Sequence, residues 1–94
     1  MKTAQEPTAF FNGQFLPLSR ASVGIFDVGF VQGVTVAEQL RTFRGQLFRL
    51  QTHLDRLGRS LEIVGLRPEE PLETLGRIAV ELVERANAFL VEGR

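Results

Sequence analysis

The sequence predicts an α+β domain in which a small antiparallel sheet carries two helices on one face. Short apolar runs separated by turn residues fill the first half of the chain, and apolar residues at helical spacing fill the second half. Strands followed by helices are typical of helices packed on one face of an antiparallel sheet. A chain of 94 residues can form one small domain with a modest core.

The start of the chain predicts a flexible tail over residues 1–7, with the domain itself spanning residues 8–94. The clearest local pattern is Asn12-Gly13, which lies between Phe10-Phe11 and Phe15-Leu16. Asn and Gly both tolerate the positive φ angles that a type I′ turn requires. This pattern predicts a short β-hairpin.

The middle of the chain predicts a loop and then a second pair of strands. Residues 19–33 are rich in glycine and small polar residues, which favours a partly extended loop with a turn at residues 27–29. Residues 34–43 favour a strand, Arg44-Gly45 favours a turn, and residues 46–50 favour the returning strand.

The first helix is predicted from a capping pattern and from regular apolar spacing. Thr52 and Asp55 have the spacing of a capping box, with Asp replacing the usual Glu or Gln. Gly65 lies where a helix would end. The apolar residues between these points recur at steps of three and four: Leu54, Leu57, Leu61 and Val64.

The second helix is predicted to follow Pro68 and Pro71. It has one apolar stripe, and its other face carries i,i+4 neighbours of opposite charge: Glu73, Arg77, Glu81 and Arg85. Residues 89–91 are apolar and resemble the approach to a further element. If they form a strand, its edge is left for something to pair with.

The composition limits the classes of function. The net charge is zero and the basic residues are spread along the chain, so we expect no nucleic-acid partner. No stretch has the length of a membrane span, and residues 1–10 contain no long apolar run, so no signal peptide is expected. The lack of cysteine is compatible with the cytoplasm, where we expect the protein. One His and no Cys cannot supply a typical zinc ligand set, so no metal site is expected.

Five sequence motifs carry a family resemblance: FNGQF at 11–15, DVGF at 27–30, VAEQLR at 36–41, GQLFRL at 45–50 and HLDRL at 53–57. Together with Gly33, their order and spacing resemble the amino-terminal domain of class IV (fold-type IV) pyridoxal-phosphate aminotransferases. This family includes branched-chain aminotransferase, D-amino-acid aminotransferase and aminodeoxychorismate lyase. The resemblance covers residues 11–66.

The resemblance implies an active site built between two domains of a homodimeric enzyme. The larger, carboxy-terminal domain of such enzymes carries the Schiff-base lysine and most of the cofactor phosphate site. The substrates are an amino acid and a 2-oxo acid, and the cofactor is pyridoxal 5′-phosphate. The only lysine here is Lys2, in the predicted tail. We therefore expect a chain truncated before the lysine domain, with no catalytic residue of its own and inactive alone.

The resemblance also assigns site residues. Arg56 matches the family's phosphate-binding arginine, and an arginine fork suits a phosphate. We expect it in or near a first helical turn, where the macrodipole disfavours a cation unless an anion lies nearby. Arg49 is a second candidate, interpreted as a strand residue that faces away from Phe48 and Leu50.

Four further residues are candidates for the substrate pocket. Phe30 lies where D-amino-acid enzymes have a tyrosine, and Gln32 and Ala37 replace aromatic residues of the family. Arg41 matches an arginine recurrent in branched-chain enzymes. It is expected either to receive a substrate carboxylate or to form an ordinary salt bridge on a strand.

Two other residue patterns are interpreted as structural. His53, the sole histidine, is expected to pack under a strand end rather than act as a general base. Asp27 and Glu38 are given little weight as an acid–base pair, because two carboxylates among 11 are expected by chance.

Three alternative functions remain open from the sequence. The parent could be a C–C lyase like aminodeoxychorismate lyase rather than a transferase. The chain could instead be a non-catalytic interaction module, which should be monodisperse where a fragment would expose an apolar interface. A small phosphate-binding domain ranks last, because no glycine-rich phosphate loop is present.

Overall fold

A computed structural model describes residues 6–33 and 35–92 of the chain, with side chains placed up to residue 88. Its elements, in chain order, are β1 (Thr8–Phe11), β2 (Gln14–Pro17), a one-turn 3-10 helix (Leu18–Arg20), α1 (Val28–Gln32), β3 (Thr42–Phe43), β4 (Gln46–Leu47), α2 (Leu50–Val64) and α3 (Leu72–Glu92). The predicted α+β class is confirmed.

The predicted first hairpin is confirmed in position and in turn chemistry. β1 and β2 pair antiparallel, with Phe10 opposite Phe15. Asn12 and Gly13 have φ angles of 50° and 84°, both positive as a type I′ turn requires. The rings of Phe10 and Phe15 pack edge to face with their centres 5.0 Å apart, which adds a cross-strand contact to the ladder.

Glu6 and Pro7 are hydrogen-bonded to the segment that follows the hairpin. The Glu6 carboxylate accepts from the backbone N–H and the hydroxyl of Ser19, and the Pro7 carbonyl accepts from Leu18. Residues 1–5, the rest of the predicted flexible tail, lie outside the described residues.

The segment predicted as a loop over residues 19–33 contains α1. The turn predicted at residues 27–29 is the start of this helix, because the Asp27 carboxylate accepts from the Gly29 N–H at 2.9 Å and caps it. Gly33 ends the helix in a left-handed conformation, with a φ of 68°.

The second pair of strands is much shorter than predicted. Strand pairing covers only β3 and β4, with one further hydrogen bond from the Phe48 N–H to the Arg41 carbonyl at 2.9 Å. Residues 35–40 belong to no described strand, and Val34 lies outside the described residues. Within the described ranges the strands form two separate two-stranded ladders rather than one sheet. The returning strand stops early because the chain turns into α2 at Leu50.

The predicted start of the first helix is wrong by three residues, because the predicted N-cap is Thr52 and the observed one is Arg49. α2 begins at Leu50, and its N-cap is Arg49 in a left-handed conformation, with no side-chain cap. Thr52, the predicted cap, therefore lies inside the helix. The predicted end is confirmed, since Gly65 has a φ of 82° and its N–H donates to Leu61 and Glu62.

α3 holds the domain together by contacting β1, β4 and α2. Gly76 on α3 is buried, and a Cβ built there would lie 2.8 Å from Leu54 Cδ1 on α2. The predicted charge pairs form, with Arg77 3.7 Å from Glu73 and Arg85 2.9 Å from Glu81.

The last apolar residues of the sequence lie in a helix, and the described part of the chain has little buried apolar surface. Residues 89–91 belong to α3 rather than to a further strand. No apolar side chain of the described part is fully buried. Within that same part, no helix is long and apolar enough to cross a membrane.

Candidate functional site

Three polar side chains from two segments of the chain meet beside α2. Glu38 belongs to the extended segment 35–41, and His53 and Arg56 lie on α2. Residues three apart on a helix share a face, so His53 and Arg56 both point toward Glu38. We call Glu38, His53 and Arg56 the polar cluster.

The extended segment presents Glu38 inward by simple alternation. Val36, Glu38 and Leu40 are half-buried, and the residues between and beside them are exposed. This period of two is the period of a β-strand, although residues 35–41 pair with no described strand. Ala37 and Arg41, two of the predicted pocket residues, therefore lie on the outward side of the segment.

Arg56 binds Glu38 through two hydrogen bonds. Arg56 Nε donates to Glu38 Oε2 at 3.1 Å, and Arg56 Nη2 donates to Glu38 Oε1 at 2.7 Å. The Glu38 side chain is 11% exposed, while that of Arg56 is 56% exposed. The carboxylate is thus held inside the cluster, and the guanidinium extends from it into solvent.

His53 completes the set of donors around the carboxylate. Its Nδ1 lies 2.7 Å from Glu38 Oε1, a distance at which Nδ1 carries the hydrogen and donates. Arg56 Nη2 is 3.3 Å from the same Nδ1, so that approach joins two donors and is no hydrogen bond. In neutral His53 this tautomer leaves Nε2 as the acceptor.

Charge within the cluster is fixed by these contacts. The hydrogen bond from Arg56, followed by that from His53, lowers the pKa of the Glu38 carboxyl to about 2. Glu38 in turn raises the pKa of the Arg56 guanidinium. Both groups are therefore charged at neutral pH.

The guanidinium of Arg56 keeps donors for an anion. An arginine has five N–H donors, and Glu38 takes two of them, which leaves the other three. With 56% of the side chain exposed, those donors are accessible from solvent. The donor set fits a phosphate group, for which an arginine fork is well suited.

The position of Arg56 on the helix differs from the prediction. Arg56 is the seventh residue of α2, so it lies in the second turn and not in or near the first. The helix macrodipole acts mainly within the first turn, so it does not account for an anion beside Arg56. The anion that the structure does place there is the Glu38 carboxylate.

A cleft of about 630 Å³ lies next to the polar cluster. It is lined by Gln39, Leu40, Arg41, Phe48, Arg49 and His53. His53 is common to the cleft and the cluster. The structure thus brings the predicted pocket residue Arg41 to the same histidine that contacts Glu38.

The prediction that Arg49 is a strand residue is wrong. It has a φ of 56° and immediately precedes α2, and its guanidinium lies over the Phe48 ring, 5.2 Å from the ring centre. The strand prediction failed because pairing ends at Leu47, two residues earlier.

The remaining predicted pocket residues are exposed. Phe30 and Gln32 lie on α1, and Phe30 is 67% exposed. Ala37 lies beside Glu38 but faces outward. No hydrogen bond or ion pair among the described residues joins these three to Arg56.

Glu38 belongs to the site, although the sequence predicts no role for it beyond a weak pairing with Asp27. The structure gives these two carboxylates different partners, α1 for Asp27 and Arg56 for Glu38. One sequence pattern could have identified it. A glutamate in phase with Val36 and Leu40 is an acidic residue on an inward face, and such a residue needs a cationic or donor partner.

Comparison with known proteins gives the family. The sequence profile of amino-transferase class IV matches residues 35–94, which include the whole polar cluster. The chain belongs to the class IV aminotransferase family. The resemblance predicted from the five motifs is therefore confirmed.

Individual relatives agree with this assignment. The chain is 35% identical to a D-alanine aminotransferase of Staphylococcus aureus over 80% of its own length and 27% of the relative's. It is 37% identical to the Staphylococcus epidermidis protein of the same name, over 81% of the chain and 26% of the relative. A putative branched-chain-amino-acid aminotransferase of Methanocaldococcus jannaschii is 40% identical over 51% of the chain and 17% of the relative. The chain thus spans about a quarter of the length of the D-alanine aminotransferases.

Proposed function

We propose that the chain is the amino-terminal domain of a pyridoxal-phosphate-dependent aminotransferase, and that Arg56 binds the cofactor phosphate. The parent enzyme transfers an amino group from an amino acid to a 2-oxo acid. The proposal depends on how the Arg56 side chain is held. Two hydrogen bonds orient its guanidinium, and the side chain keeps unused donors and is 56% exposed. Arg56 also lies inside the segment that matches the family.

The residues present supply binding and orientation rather than bond-making chemistry. When bound, pyridoxal phosphate supplies an electron-withdrawing ring that accepts negative charge from the substrate carbon. The only lysine of the sequence is Lys2, which the family motifs do not cover. We infer that the lysine of the parent's active site comes from outside these 94 residues, so that Arg56 contributes one anchor of a site completed elsewhere.

Arg41 is our candidate for binding a substrate carboxylate. It lines the cleft beside His53 and lies on the outward side of segment 35–41. Of the two roles expected for it, the salt bridge finds no support, because Arg41 has no ion pair within the described part of the chain. Ala37, four residues earlier on the same side of the segment, is exposed and is proposed to face the substrate as well.

Phe30 and Gln32 are proposed to line the pocket from the α1 side. α1 and the loop before it carry an exposed apolar surface whose residues are 57–87% exposed: Val23, Ile25, Phe26, Val28, Phe30 and Val31. Contiguous exposed apolar residues mark interaction surfaces. We propose that this surface contacts the lysine-bearing domain of the parent or the second subunit of a homodimer, in a cytoplasmic enzyme.

The phosphate role is tested by titrating the 94-residue chain with inorganic phosphate and with pyridoxine 5′-phosphate, followed by calorimetry. Charge-assisted hydrogen bonds contribute ~1.5–3 kcal/mol, so Arg56→Gln should weaken binding of both ligands by roughly 10- to 100-fold. Arg67→Gln removes an exposed arginine in the loop after α2 and is the matched control, expected to change affinity by less than about twofold. Equal affinities for Arg56→Gln and the wild type would overturn the proposal.

A further inference from the structure

We propose that Glu38 is a positioning residue for Arg56, held in place by His53, and that it strengthens phosphate binding although it carries a negative charge. This inference rests on the proposed phosphate role of Arg56. It adds two residues, Glu38 and His53, whose part in the site neither the resemblance nor the comparisons assign.

Arg56 needs a partner to fix its conformation. A free arginine side chain has ~2 kcal/mol of rotamer entropy, and packing cannot remove it here because 56% of the side chain is exposed. The two hydrogen bonds to Glu38 fix the guanidinium plane. A phosphate then meets a group that is already oriented, so less entropy is lost on binding.

Glu38 is itself held from two directions. Its backbone lies in the alternating segment 35–41, where the side chain points inward and is 11% exposed. His53 Nδ1 donates to Oε1 at 2.7 Å, the same oxygen that accepts from Arg56 Nη2. His53 is 17% exposed, so the carboxylate is supported by a second ordered group.

Arg56 does not have to leave Glu38 to bind a phosphate. Glu38 occupies Nε and one hydrogen of Nη2, and the unused donors are both hydrogens of Nη1 and the second hydrogen of Nη2. One guanidinium can therefore bind the carboxylate on one edge and the phosphate on the other.

Two possible roles of the Glu38 carboxylate predict opposite changes in phosphate affinity when the carboxylate is removed. If Glu38 acts only through its charge, it repels phosphate, and its loss should strengthen binding. If Glu38 orients Arg56, its loss should weaken binding, because Gln has one acceptor oxygen in place of two and its NH2 group cannot accept from Arg56, so the guanidinium keeps at most one of its two hydrogen bonds. The direction of the change in phosphate affinity therefore decides between repulsion by Glu38 and orientation of Arg56 by Glu38.

The test measures the affinity of the 94-residue chain for inorganic phosphate in Glu38→Gln and Glu62→Gln. Glu62 is an exposed acid on α2, so Glu62→Gln removes the same charge without touching the cluster. We expect Glu38→Gln to bind phosphate at least about fivefold more weakly than the wild type, and Glu62→Gln to bind equally well or slightly better. Unchanged or tighter binding by Glu38→Gln would overturn the inference.

If far-UV circular dichroism shows that Glu38→Gln is unfolded, substitutions of His53 provide a second, independent test. Asn carries an amide donor close to the position of Nδ1, whereas Phe fills the space without a donor. We expect His53→Phe to weaken phosphate binding more than His53→Asn, and equal affinities of the two variants would contradict the inference. If Arg56→Gln binds phosphate like the wild type, the phosphate role itself fails. If only the Glu38 and His53 variants bind normally, the positioning inference alone fails.

Discussion

Arg49, the N-cap of α2, and Arg56, in its second turn, have the same side chain and different surroundings. Arg49 caps the helix in a left-handed conformation, and its guanidinium lies over Phe48. Arg56, two turns further along, is in regular helix and binds Glu38 through two hydrogen bonds. Arg49 has a left-handed backbone and a guanidinium that lies over an aromatic ring, while Arg56 has a helical backbone and a guanidinium oriented by a carboxylate.

The difference shows what makes an arginine useful for binding. Both residues are cations near the same cleft, and sequence alone offered both as candidates. Only Arg56 has its guanidinium fixed by a carboxylate while retaining unused donors. We infer that Arg49 shapes the start of the helix and that Arg56 binds the ligand.

The largest expected effect tests the helix that carries both arginines. Gly76 on α3 lies against Leu50 and Leu54, between the two arginines of α2. Gly76→Leu would overfill this contact, and overpacking destabilises by ~1–3 kcal/mol. Gly24→Leu, at a glycine with no neighbour within 4 Å of its added Cβ, should change the free energy of unfolding by less than ~0.5 kcal/mol. Equal losses in urea denaturation would show that α2 and α3 do not pack as described.

A smaller effect separates the two arginines by their backbones. Arg49 has a φ of 56°, which costs a non-glycine residue roughly 1–2 kcal/mol. Arg49→Gly should therefore raise the free energy of unfolding by about 1 kcal/mol and leave phosphate affinity unchanged. Arg56→Gly should lower it by about 1 kcal/mol, because glycine is unfavourable inside a helix, and should also lose phosphate affinity. If both substitutions shift stability in the same direction, the contrast between the two backbones is wrong.

The smallest expected effect is a pH dependence of stability that comes from the contact between Glu38 and Arg56 and not from Arg49. The pKa of Glu38 is lowered from its ordinary value of 4.5 to about 2. Because the folded pKa is the depressed one, the stabilisation is fully present above pH 4.5 and is lost as the pH falls to about 2. Glu38→Gln should flatten this part of the stability curve, and Arg49→Gln should not. A ¹³C NMR titration that placed the Glu38 pKa near 4.5 would contradict the arrangement.

Local sequence patterns predicted the parts of the fold that depend on neighbouring residues. The hairpin at Asn12-Gly13 and the helix end at Gly65 are determined by positive φ, which those residues adopt easily. The start of α2 could not be predicted this way. Arg49 adopts a left-handed φ although nothing in its residue type favours it, and the apparent capping box at Thr52 lies one turn too late.

The candidate site was predictable only in part, for a similar reason. Arg56 was identified through the resemblance of the HLDRL motif, which is continuous in sequence. Its partner Glu38 lies 18 residues earlier, and His53 lies 15 residues after Glu38. The spacing of Glu38 between Val36 and Leu40 predicts that its side chain points inward. Which donors the carboxylate meets depends on how α2 lies against segment 35–41.

The most direct test of the phosphate role of Arg56 follows the Arg side-chain Nε–Hε resonances of the ¹⁵N-labelled chain during a titration with inorganic phosphate. The Arg56 resonance should be resolved before phosphate is added, because Glu38 accepts from Nε, and it should shift with a saturable curve. The Arg49 resonance should remain unchanged or drift without saturation. If the Arg56 resonance does not respond, or if both arginines shift along the same curve, Arg56 is not the phosphate ligand.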